Sequence, residues 1–208
     1  MTVRAVVLPG TPLLVPGAAG AAAVLGATRT AALAALGRLV DGVPSLRGDR
    51  SAPAPVVVVA PGTARTRGPA RASLAAAGVA DTWLDTAWAV ATRAGGPGAP
   101  VAGTAASVGL LALAGAGWAG PVDVVELGDD EAAAQALGAD LARQGARVVV
   151  VHDPRSAAPD AVLAGFGAAP DDGHRHVATG EYEERGYEVR WFDDGALASP
   201  APAGPVSR

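Results

Sequence analysis

The 208-residue chain reads as a three-layer α/β domain, with a mainly parallel or mixed central sheet covered by helices on both faces. Three observations predict this class. Val56-Val57-Val58-Val59 and Val148-Val149-Val150-Val151 are apolar runs without polar alternation, as strands buried on both faces require. Segments with helical apolar spacing separate the strand-like runs, the alternation that builds parallel sheets. Half of the residues (50%) are apolar, ample for one buried core at this length.

Val3 to Leu8 is a short apolar run that ends at Pro9-Gly10 and reads as a buried strand entering a loop. After Pro16-Gly17 an Ala/Leu-rich stretch reaches about Val40, with Leu25, Leu33, Leu36, Leu39 and Val40 at helical spacing. Residues 41–54 read as a loop. Val56 to Val59 is an interior strand stopped by Ala60-Pro61-Gly62-Thr63, and Ala70 to Ala77 is compatible with a short helix. Thr82 to Pro100 gives no clear pattern beyond the turn signal Gly95-Gly96-Pro97-Gly98. Thr104 to Gly115 reads as a helix and Val122 to Leu127 as a strand. Asp129-Asp130-Glu131 place negative charge where a helix start favours it, and that helix runs to about Gln144 with Gly145 at its end. Val148 to Val151 is the next strand, closed by His152-Asp153-Pro154. A helix from Pro159 to Phe166, a polar loop and a last strand from Tyr187 to Phe192 complete the pattern. Residues 1–197 are therefore expected to form one domain, and residues 198–208, mostly Ala, Pro, Gly and Ser, a disordered tail.

Charge and composition exclude several classes of function. The net charge is −4, all 16 basic residues are Arg, and no basic block occurs, so nucleic acid is not expected as a partner. Without Cys there are no disulfides, thiolate nucleophiles or thiolate metal ligands. The uncharged stretch from Ala5 to Thr28 is broken by Pro9, Pro12 and Pro16, and that from Ala94 to Pro121 is mostly small residues. Neither offers the roughly 20 predominantly apolar residues of a membrane span. A soluble, cytoplasmic protein is expected.

Ligands of such sheets sit at the carboxyl ends of the strands, so the loops after Leu8, Val59 and Val151 carry the functional expectation. None contains the glycine fingerprint of dinucleotide binding or a nucleophile elbow, and a phosphate loop with Lys is impossible. The pocket candidates are Gly10 and Thr11 in the first loop and Gly62, Thr63 and Arg65 in the second. In the third, His152 beside Asp153 is the candidate titratable pair, and a strand-end histidine making a backbone hydrogen bond is its structural alternative. Arg65, Arg67 and Arg71 could meet an anion or line a solvated face. Trp83, Trp88 and Trp118 read as core or pocket wall.

Pro9-Gly10-Thr11-Pro12-Leu13-Leu14-Val15-Pro16 and Val56 to Gly62 resemble two loops of the subunit-B-type class III extradiol ring-cleavage dioxygenases, notably their small actinobacterial-type members. With the segment from Ala105 through Trp118-Ala119-Gly120-Pro121-Val122 to Leu141, the resemblance spans roughly residues 3–153. It implies the same three-layer fold and, in active members, a non-heme Fe(II) held by two His and one carboxylate. Gly10 and Gly62 stand where the two His ligands would be, at the carboxyl ends of adjacent strands, and Ala157 stands where an acid/base His would be. The resemblance therefore implies a degenerate member without the Fe(II) site and without a cofactor, kept as a small-molecule-binding or interaction domain that can self-associate. The enzyme alternative is a relocated Fe(II)-type metal site using His152, His174, His176 and Glu181, which requires the 171–184 segment to fold over the strand ends. A solvated loop is the structural alternative for that segment.

Overall fold

A computed structural model describes residues 2–43, 56–94, 96, 98–169, 173–179 and 186–197. Residues 44–54 of the expected 41–54 loop, the Gly95 and Pro97 positions of the turn signal, Glu181 and the 198–208 tail lie outside the described residues. Among the described residues, seven strands form one mixed sheet: β1 (Val3–Pro9), β2 (Val56–Pro61), β3 (Thr66–Gly68), β4 (Val122–Leu127), β5 (Arg147–His152), β6 (His174–Thr179) and β7 (Gly186–Asp193). Their spatial order is β3-β4-β2-β5-β1-β7-β6. The central four, β4, β2, β5 and β1, are mutually parallel, while β3 and β7 run antiparallel to their neighbours β4 and β1.

The parity of each central strand divides the core in two. Val6, Leu8, Val56, Val58, Val149 and Val151 face one layer, formed by α1 (Gly26–Val40) and α2 (Thr104–Gly115). Ala5, Val7, Val57, Val59, Val148 and Val150 face the other, formed by α3 (Glu131–Arg143) and α4 (Ala158–Phe166). Burial on both faces explains why these strands carry unbroken Val runs rather than alternating ones. Asp130 caps α3 by accepting the Ala133 amide at 2.9 Å, and Gly145 adopts φ 68° just past its end.

Three local expectations are corrected. The helix expected from about Gly17 begins only at Gly26: Gly17 (φ 87°), Gly20 (φ 65°) and Leu25 (φ 53°) are left-handed and interrupt the coil. Ala70–Ala77 is not a helix; Arg71 bridges Val101, and only Ala75–Ala77 form a 3-10 turn. The segment expected as a solvated loop around His174 and His176 is strand β6, hydrogen-bonded along its length to β7. Two further 3-10 segments, Asp81–Trp83 and Trp88–Arg93, fill the stretch that showed no pattern.

Candidate functional site

β2 leads by way of β3 to α2 on one face and β5 leads to α4 on the other, and in an open α/β sheet the ligand edge lies where such connections diverge. Register sets the level of that edge. Pro9 pairs with His152 and Val59 with Val150, so Gly10, Gly62 and Asp153 each stand just beyond one common level. Contrary to the expectation from the resemblance, Gly10 and Gly62 do not end adjacent strands: β5 lies between β1 and β2. Two interstrand spacings separate them, roughly 10 Å.

Both glycines are held by backbone contact on the α2 face. The Gly10 amide donates to the His152 carbonyl at 2.8 Å, and the Gly62 amide to the Leu127 carbonyl at 2.7 Å. A Cβ at position 10 would meet the His152 oxygen at 2.9 Å and Val151 Cγ1 at 3.3 Å. At position 62 it would meet Glu126 Cβ at 2.8 Å. Neither residue has a left-handed backbone, so close approach rather than φ is what demands glycine here. Thr11 accepts the Leu13 amide at 3.3 Å as the cap of a 3-10 turn over Pro12–Leu14. Arg29 of α1 fixes the same loop, donating from Nε to Leu14 O at 2.8 Å and from Nη2 to Leu13 O at 3.3 Å and Val24 O at 3.0 Å. Burial lowers the affinity of its guanidinium for the proton, and three carbonyls compensate the charge.

Glu126 is the carboxylate of this face that the sequence reading missed. Its Oε1 accepts the Gly103 amide at 2.7 Å, immediately before α2, and its Oε2 accepts the Thr66 hydroxyl at 3.3 Å. It thus serves the start of α2, where negative charge is favoured. The available signal was a second acidic residue, after Asp123, late in the strand Val122–Leu127.

His152 lies on the opposite face. Its Nε2 stands 3.6 Å from Asp160 Oδ2 in the first turn of α4, and Arg190 Nη2 donates to Asp160 Oδ1 at 3.2 Å. Arg190 Nε is 3.8 Å from Glu188, and Arg175 of β6 is 3.9 Å from the same carboxylate. The His152 contact, then Arg190, hold the Asp160 carboxyl below the usual carboxylate range against the opposing effect of partial burial. Asp153 does not join this group: it takes a two-pronged contact from Arg155, Nε at 2.9 Å and Nη2 at 2.6 Å, which lowers its pKa. The His152 carbonyl accepts the Gly10 amide, while its imidazole meets a carboxylate the sequence did not flag.

The structure does not bring together the relocated metal set. β6 is three strands from β5, about 14 Å at ordinary spacing. His174 and His176 pair with Trp191 and Val189, which belong with the α1-side core, so they also sit on the other face from His152. His174 stacks on Trp191 with centroids 5.6 Å apart and has Nε2 3.5 Å from Asp193. Among the described residues no group of three or more His, Asp or Glu could hold a metal ion. Arg65 is exposed and Arg67 pairs with Asp123 at 2.7 Å. Of the tryptophans, Trp88 is buried and Trp118 half-buried, but Trp83 is 62% exposed and is not core. Among the described residues no helix is long and apolar enough to cross a membrane. Comparison with protein-family models, curated proteins and solved structures found no match to this chain.

Proposed function

We propose that this chain is a subunit-B-like member of the class III extradiol dioxygenase superfamily that has lost ring-cleavage chemistry. It is retained in the cytoplasm as a small-molecule-binding or interaction domain able to self-associate. One observation carries the reading. In the two loops that resemble the family's ligand loops, the ligand positions are Gly10 and Gly62, and each lies in contact too close for a Cβ. A 2-His-1-carboxylate Fe(II) site needs two imidazoles and a carboxylate converging on one point. The residues present do not fit it: the glycines have no donor, the His152 side chain faces α4, and the Glu126 carboxylate is engaged by Gly103 and Thr66.

The test is iron analysis of full-length protein purified anaerobically, with oxygen uptake measured on added catechols. Iron well below one equivalent and no ring cleavage are expected. Stoichiometric, tightly held Fe(II) that supports catechol cleavage overturns the proposal.

A further inference from the structure

We infer that Asp160 is a clasp that couples the two faces of the sheet at its carboxyl edge, acting through the end of β5. Three elements meet at its carboxylate: α4 supplies Asp160 itself, β5 supplies His152 Nε2 at 3.6 Å, and β7 supplies Arg190 Nη2 at 3.2 Å. β1 runs between β5 and β7, so the clasp spans the end of β1 on the α4 face. His152 is the hinge of the coupling, because its side chain meets α4 while its carbonyl holds the start of the Gly10 loop at the end of the adjacent strand. The imidazole meets Asp160, whereas the carbonyl accepts the Gly10 amide at 2.8 Å and would be the first atom met by a side chain at that position. Gly10 opens the loop that Arg29 pins on the α1 side. Whatever sets the position of the β5 end on the α4 face therefore sets the floor of the Gly10 loop on the other.

Gly62 supplies an internal control, since its amide bonds Leu127 O on β4 and not a carbonyl of β5. The inference does not depend on any ligand or on the lost-chemistry reading.

The experiment is amide hydrogen exchange by NMR on the full chain, comparing wild type with Asp160→Asn and His152→Asn at one pH. His152→Asn leaves the backbone carbonyl in place and removes only the imidazole. Both variants are expected to speed exchange at Gly10 by about two- to fivefold, the range that a partly exposed ion pair supports, and to leave Gly62 unchanged. Unaltered Gly10 exchange in either variant overturns the inference. So does equal acceleration at Gly10 and Gly62, which would mean general destabilisation rather than coupling.

Discussion

Gly10→Ala and Gly62→Ala test whether the loops at the carboxyl edge are closed by contact. At position 10 the added methyl would stand 2.9 Å from the His152 oxygen, where an ordinary C···O approach is about 3.3–3.6 Å. Relief requires about 0.4–0.7 Å of separation on the same basis. That separation acts on the oxygen that also accepts the Gly10 amide, so clash relief and hydrogen bond compete directly. Weakening that bond costs about 0.5–1.5 kcal/mol, and overpacking about 1–3 kcal/mol. The reduced freedom of the unfolded chain returns about 0.4–1 kcal/mol. A net loss of about 1–3 kcal/mol is expected, and Gly62→Ala, 2.8 Å from Glu126 Cβ, belongs in the same range. With m near 2 kcal/mol/M in urea, each variant should lower the midpoint by about 0.5–1.5 M. Because β5 separates the sites, the two losses should add within about 0.5 kcal/mol. A midpoint unchanged or raised in either variant would refute the close-approach argument. The double-Ala chain is also the control for Gly10→His/Gly62→His: Zn(II) is expected to raise the melting temperature of the double-His variant alone. Without that difference, the assignment of these loops as former ligand loops fails.

Three other outcomes follow from the packing. Gly138 of α3 and Gly165 of α4 each place the partner helix's backbone carbonyl, of Val162 and Gln135 respectively, inside the space a methyl would need. Gly138→Ala or Gly165→Ala should lose about 1–3 kcal/mol in urea melts despite the higher helix propensity of Ala, and a gain in either contradicts the contact. Arg29→Met should lose about 2–4 kcal/mol and make the 11–24 loop the first site of limited proteolysis, because three carbonyl partners lose a charged donor; unchanged cleavage would show the clamp to be idle. The Asp160 carboxyl is depressed in the folded state, so its contribution is present above the ordinary carboxylate pKa near 3.9 and is lost as pH falls through the lower folded value. Asp160→Asn should thus cost up to about 1 kcal/mol at pH 5, with the gap to wild type closing below about pH 4; a gap that persists at pH 2.5 contradicts the assigned cause.

The central layer was legible because burial on both faces leaves an unmistakable trace. The Thr104–Gly115 helix and the Val122–Leu127 strand fall at the expected limits, and the two Val runs became neighbouring parallel strands. β6 was hidden because an edge strand carrying His174, Arg175 and His176 has the composition of a loop, and its pairing with β7 is a tertiary fact. The stretch before Gly26 misled because Ala and Leu at helical spacing do not reveal the left-handed Leu25. At the site, His152 could be marked as a strand-end histidine, but neither its face nor its partner could. The partner carboxylate comes from the following helix, and Arg190 reaches it from β7, beyond the intervening β1. Strand order is likewise silent in the sequence, and the insertion of β5 between β1 and β2 is what separated two glycines expected side by side.

The position of β1 has a consequence for how this chain comes into being. Its two neighbours in the sheet are β5, beginning at Arg147, and β7, beginning at Gly186. A nascent chain that has reached only α3 thus carries β1, apolar apart from Arg4, with neither edge matched. At synthesis rates of about 5–20 residues per second, that exposure lasts on the order of ten seconds. β1 is therefore made before either partner, and its pairing with β5 and β7 is a long-range closure, the slow kind of contact that leaves apolar surface exposed in a partly made chain.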